Sequence, residues 1–491
     1  MRRPILITTA LLASGLLLAG CTATGAAGST SASGSDAPAE AVADYDLAPS
    51  AVMAENADYT TVNEDEWSEA DAVDVRLSGA GISGSAEGVS AGAGAVTITE
   101  AGVYRLSGSL DGQLRVEAPE DALVVLILDG VDISNASGAA IEVVSADDVA
   151  IHLAEGSENA VSDAASYAAD AEADAAIHSA ADLTISGSGS LSVTGNGNDG
   201  IVSKDDLVVL GGTIAVTAAD DALRGKDALV VEGGALTLSA TGGDGMKSDG
   251  DEGDASADID WTRGYVYVSG GAIDITAGDD GLQAFTDAVI AGGSVTASVA
   301  DDGVKGEVIV SVGAASADAD DADSPQVTVT ASTEAMEAAN VGISAGVVDL
   351  TASDDGINAS GNAELQALIE GTEFAGVADR EADTGERLEI LGGDVTVQAG
   401  ADGLDSNGSV TVSGGSVTIT SAANGGDGPI DGNGSVDVAD GIVTANGSAW
   451  DAATAGGMGG PGAGGPGAMP GGEGGGPGGA PGTPGGAPPQ G

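Results

Sequence analysis

The chain has 491 residues, with 77 Asp and Glu against 13 Lys and Arg, a formal net charge of −64. Such a charge repels phosphate backbones and excludes nucleic acid as a partner. Cys21 is the single cysteine, which excludes an intramolecular disulfide framework.

The N-terminus reads MRRPILITTALLASGLLLAGC: two arginines, an apolar run from Ile5 to Leu18, then Leu18-Ala19-Gly20-Cys21. Residues 1–20 therefore have the pattern of a secretory signal. Its ending resembles the bacterial lipoprotein cleavage box. That resemblance implies lipidation of Cys21 and a place on the extracellular face of the cell membrane. The apolar run is too short for a spanning helix, and no later stretch reaches spanning length. Residues 21–71 are Ala, Ser, Gly, Thr and acids with little pattern, and read as a disordered spacer. Residues 451–491 form a Gly/Pro-rich tail that cannot bury a core. The part that folds is residues 72–450, longer than an ordinary domain unless it is a repeat growing in one dimension.

Residues 72–170 carry strand-rich phrases, VYRLSGSLDGQLRVEA, LVVLILDGVDISN and VAIHLAEGSENAV. From Asn198 a repeat is explicit. NDGIVSKDDLVVLGGTIAVTAA is followed by DDALRGKDALVVEGGALTLSAT, then GDGMKSDG, DDGLQAFTDAVIAGGSVTASVA, DDGVKGEVIVSVG, DDGINASG and ADGLDSNGSVTVSGGSVTITSA. The anchor aspartates are Asp199, Asp221, Asp244, Asp280, Asp302, Asp355 and Asp402, and the uninterrupted spacings are 22, 23 and 22 residues. Longer gaps hold polar inserts such as DEGDASADID and ASADADDADSP, which read as loops. Within a repeat the period is two, with β-branched residues and Gly-Gly corners, and helical patterning is absent. The prediction is an all-β, right-handed parallel β-helix with coils of about 22 residues. Two phenylalanines in the whole chain suit a narrow interior.

SGSLDGQLRVEA, LILDGVDISN, AEGSENAVSD, AAIHSAADLTISGSGSLSVTGNGNDGI, LRGKDALVVEGG and GDGMKSDG occur in order over residues 72–450. Together they resemble the bacterial carbohydrate-binding β-helix domain family, typified by a clostridial cell-surface protein. The resemblance implies binding of cellulose and acidic sugars, and bound calcium.

The residue two after each anchor is apolar: Ile201, Leu223, Met246, Leu282, Val304, Ile357 and Leu404. Strand alternation points these inward and the next residue outward. The outward column is Val202, Arg224, Lys247, Gln283, Lys305, Asn358 and Asp405, with Lys204 and Lys226 two residues further on. Nearly all the lysines of the chain therefore share one outer face, beside the aspartate column. Carboxylates stacked about 5 Å apart repel by roughly 1–3 kcal/mol per neighbouring pair. Calcium, which takes oxygens from adjacent Asp turns, offsets that cost. Asp-Gly pairs also serve as plain turns, and the lysines also serve as counterions.

Three functions compete on this sequence. The first is calcium-dependent binding of an acidic, polygalacturonate-like polysaccharide, without catalysis. Calcium is held by the anchor aspartates, and Arg224, Lys226, Lys247, Lys305 and Gln283 contact the sugar. The scarcity of aromatics, three Trp, two Phe and six Tyr, argues against stacking on neutral glucans, with Trp261, Tyr265, Tyr267 and Phe285 the only cluster near the ladder. The second is a structural or adhesive solenoid rigidified by calcium. The third is a calcium-dependent lyase using Arg224, Lys226 or Lys247 as base. His152 and His178, the only histidines, read as surface strand residues.

Overall fold

The structure is a computed structural model and describes residues 46–450, apart from 93, 170, 252–258, 316–323, 370, 371, 373, 375, 378–381 and 423–427. Cys21, the expected signal sequence of residues 1–20 and the Gly/Pro-rich residues 451–491 lie outside the described residues.

The coils stack as a parallel β-helix, in a 13-stranded sheet and a 27-stranded sheet. A representative coil has three strands, Asp199–Ser203, Asp206–Val209 and Thr213–Ala218. Each pairs in parallel with its counterpart one coil on: Ile201 with Leu223, Leu207 with Leu229, Ile214 with Leu236. Antiparallel pairs close the two ends, at Val89–Gly92 with Ala95–Ile98 and at Val443–Ala445 with Ser448–Ala449.

The apolar column of the first face runs from Val96 through Leu114, Ile141, Ile177, Ile201, Leu223, Met246, Leu282, Val304, Met336 and Ile357 to Leu404, every one fully buried. These side chains form the continuous interior with the alternate residues of the third face, such as Ile214, Val216, Leu236 and Leu238. The glycine after an anchor Asp is set by this crowding rather than by turn geometry. A Cβ on Gly245 would collide with the Ile275 side chain, and one on Gly356 with Val397. Ala222 and Ala335 show that a single methyl fits in two of the coils.

Two findings depart from the sequence reading. Residues 46–71, expected as disordered spacer, form a strap along the second face, running against the direction of coil growth. The Leu47 carbonyl accepts from Ser311 Oγ at 2.6 Å. A helix, α1 (Pro49–Glu55), then lies on the strands Asp287–Ile290 and Ile309–Val312. Further along, the Thr60 amide donates to Asp206 Oδ2 at 2.8 Å and the Val62 amide to Thr184 Oγ1 at 3.0 Å. Second-face strands such as Asp206–Val209, Ala228–Val231 and Asn340–Ile343 are buried on both sides. Their apolar runs (DLVV, ALVV) do not alternate, as expected of strands covered on both faces. The second departure is a helix, α2 (Asn362–Ile369), in the insertion before Arg387. Neither helix interrupts a coil, and among the described residues no helix is long and apolar enough to cross a membrane.

A carboxylate ladder as candidate functional site

The anchor aspartates from Asp199 to Asp302 form a continuous hydrogen-bonded ladder. Asp199, Asp221, Asp244, Asp280 and Asp302 are each 4% exposed or less. The Oδ1 of each of the first four accepts the backbone amide of the next anchor. Asp221 donates to Asp199 at 3.2 Å, Asp244 to Asp221 at 2.8 Å, Asp280 to Asp244 at 2.9 Å and Asp302 to Asp280 at 2.7 Å. Farther along, the half-buried Asp355 accepts the Asp402 amide at 2.7 Å, and Asp402 accepts that of Gly428. These amides supply part of the compensation that stacked carboxylates need, beyond any cation.

The second oxygen faces the outward column. Arg224 Nη1 lies 3.0 Å from Asp199 Oδ2, Lys247 Nζ 3.1 Å from Asp244 Oδ2 and Lys305 Nζ 2.8 Å from Asp302 Oδ2. Lys305 also reaches Glu337 at 2.9 Å. Gln283 stands directly between Lys247 and Lys305 in register, so Lys247 is flanked by Arg224 and Gln283. Lys226 pairs with Asp251 at 3.4 Å and Asp227 at 3.7 Å rather than with a ladder carboxylate.

The Asp280 rung is different. Where Lys247 and Lys305 neutralise their anchors, this rung presents Gln283, whose Oε1 is buried without a hydrogen-bond partner. Burial, reinforced by the charges of Asp302 and Asp244, pushes Asp280 up to about 8. Two carboxylate triads meet here, Asp244/Asp279/Asp280 and Asp280/Asp301/Asp302, each with oxygens within 4.8 Å of one another. Further groups are Asp302/Glu334/Glu337 and Asp402/Asp405/Asp431. Asp199, Asp221 and Asp355 belong to no such group among the described residues. An all-oxygen donor set around an under-neutralised rung fits a hard divalent cation such as calcium. Asp244, Asp279, Asp280, Asp301 and Asp302 are the residues that would hold it.

The sequence reading missed Glu334 and Glu337. They occupy the anchor and outward positions of the coil spelled TEAMEA, in register with Asp302 and Lys305 through the Val304–Met336 pair. The one signal was the spacing, since the gap from Asp302 to Asp355 holds room for another coil. Burial and the Glu337 charge push Glu334 up to about 8.

The aromatic cluster offers no open sugar platform. Phe285 is buried and stacks on Trp261 with ring centres 5.5 Å apart, and buried Tyr265 donates to the Ala57 carbonyl beneath the strap at 2.8 Å. Both histidines, expected on the surface, are buried. His152 sits edge-on to Trp67 and 3.0 Å from Ser186 Oγ, and His178 lies 3.4 Å from Asp174.

Residues 92–382 match the family described as carbohydrate-binding domain-containing protein. The chain belongs to this family. A carbohydrate-binding domain-containing protein of Acetivibrio thermocellus is 33% identical over 218 residues, covering 43% of this chain and 65% of that relative. The match thus spans about 65% of the relative's length. A solved structure described as a polysaccharide lyase-like protein from C. thermocellum, gadolinium derivative, is 30% identical; the superposition covers 54% of this chain and 96% of that one, with a TM-score of 0.43.

Proposed function

We propose that this protein is a non-catalytic, calcium-dependent binder of acidic polysaccharide, polygalacturonate-like in chemistry, held at the extracellular face of the membrane by lipid on Cys21. The observation that carries the reading is the Asp280 rung: two triads share one buried carboxylate, and Gln283 stands where the neighbouring rungs place lysine. Calcium bound there supplies positive charge between protein and sugar carboxylates. The chain's own part is to orient the ligand. Lys247 and Lys305 stay partly exposed, at 23% and 25% of their side chains. An ammonium carries three donors, enough to hold a ladder carboxylate and a uronate carboxylate together. Arg224 is 17% exposed and acts at the margin of the same strip.

The absence of catalysis belongs to the proposal. Arg224, Lys226 and Lys247, the basic residues eligible to abstract a proton, are each engaged by carboxylates at 3.0, 3.4 and 3.1 Å. The ladder amides favour a second reading, in which the aspartates are staples of a structural or adhesive solenoid. Pull-downs on polygalacturonate and on microcrystalline cellulose, with millimolar calcium or with chelator, separate the two. The proposal expects retention on polygalacturonate in calcium only, without release of unsaturated fragments. Retention on neither polymer supports the structural reading, and fragments absorbing in the ultraviolet would establish a lyase.

A further inference from the structure

The strap borders a second site on the neighbouring face. Between α1, α2 and the loop at Trp261 lies a cavity of about 160 Å³ above the strands that begin at Asp287 and Ile309. Val52, Ile309, Leu365, Ile369 and the Trp261 ring supply apolar walls. The charged groups lining it among the described residues are Asp46, Glu55 and Asp287, with no Lys, Arg or His among them.

Asp287 is the informative residue. It is 7% exposed, and the Asn56 side-chain amide donates to its Oδ2 at 2.9 Å. Its Oδ1 is buried and no hydrogen bond of ordinary geometry reaches it, although the Ile309 backbone amide lies close enough to the carboxylate to favour its charged form. A buried carboxylate oxygen left without a donor is costly, and such groups are rare in folded proteins. Three carboxylates, of which only Asp287 is buried, with no countercharge among the described lining residues, select a cation. They do not select a metal: Asp46, Glu55 and Asp287 fall in none of the groups whose oxygens converge within 4.8 Å. A metal held by one carboxylate among aliphatic walls would lack the six or more oxygens it prefers. Sugar hydroxyls would be left unpaired on the same walls. An alkylammonium ion matches both halves, its carbon chain against the aliphatic residues and its head on Oδ1. Trp261, stacked on Phe285, adds an aromatic surface that attracts cations. A dry apolar cavity of roughly 150 Å³ accommodates benzene, so the space holds an alkyl chain of about four carbons.

We propose that this cavity binds a small primary alkylammonium ion, with Asp287 as its counter-carboxylate. The site uses no ladder residue and stands or falls independently of the polysaccharide reading. The test is saturation-transfer NMR on the purified full chain at pH 8 in a buffer without amines, titrating n-butylammonium chloride against n-butanol. The expected result is saturable n-butylammonium binding, with n-butanol at least about tenfold weaker because it offers no charge-assisted hydrogen bond. Asp287→Asn reduces n-butylammonium to the level of n-butanol. Equal binding of the two ligands by the wild-type chain overturns the proposal, even if the variant fails to fold. A folded Asp287→Asn chain that keeps wild-type affinity overturns it as well.

Discussion

Replacing Gln283 with lysine probes the Asp280 rung directly. The substitution gives that rung the cation that Lys247 gives Asp244 at 3.1 Å and Lys305 gives Asp302 at 2.8 Å. The magnitude follows from comparing two similarly buried anchors. Asp280 is pushed up to about 8, chiefly by burial, whereas Asp302, 3% exposed, reaches only about 6, with its own Lys305 the leading influence lowering it. A raised carboxyl pKa in the fold means stability is complete below the unfolded value near 4 and is lost as pH rises through the folded value. In the wild type the loss continues to about pH 8, and in Gln283→Lys it ends near pH 6, as at Asp302. With chelator present the variant should gain about 1 kcal/mol at pH 7 and about 3 kcal/mol above pH 8. Urea unfolding at pH 5, 7 and 9 reads this out, and the two proteins should converge at pH 5. In calcium the sign reverses, because the new ammonium competes for the triads. Calcium affinity should then fall at least about tenfold, the effect of one lost charge-assisted contact. Equal stability at every pH in chelator, or unchanged calcium affinity, would refute the reasoning.

Lys247→Ala should weaken polygalacturonate binding by about 1–3 kcal/mol, while Asp244→Asn lowers calcium and sugar affinity together. Titration at two calcium concentrations distinguishes them, and equal sugar affinity for Lys247→Ala and wild type would remove the lysine from the site. Leu223→Ala, in the fully buried column, should cost about 2–5 kcal/mol of stability in urea unfolding. Asp287→Asn removes a carboxyl that burial pushes up to about 7, so its stability relative to wild type should rise between pH 4 and pH 7, by up to about 4 kcal/mol. A pH-independent difference between the two would contradict an ionisable Asp287.

The coil was legible because its chemistry recurs at fixed spacing. Anchor, inward apolar residue and outward residue appear in order, and pairs such as Arg224 with Lys247 and Gln283 with Lys305 fall where alternation put them. The coil at Glu334 was not, because it spells the anchor with Glu and the following glycine with alanine. The strap was illegible for a different reason. Leu47, Val52, Val62 and Trp67 follow no period, since each packs on strands more than thirty residues away in the chain and not on its own neighbours. The significance of Gln283 also escaped the sequence. A glutamine in a column of cations looks like a weak contact until its rung is seen to hold the carboxylate shared by two triads.

The central claim, that calcium on the Asp280 rung couples this solenoid to an acidic polysaccharide, meets its most direct test in one calorimetric experiment. Polygalacturonate is titrated into wild type and Asp280→Asn, each in millimolar calcium and in excess chelator at equal ionic strength. The account predicts saturable binding by wild type in calcium, none in chelator, and an affinity at least about tenfold weaker for the variant in calcium. Wild-type binding of equal strength in calcium and in chelator would contradict it.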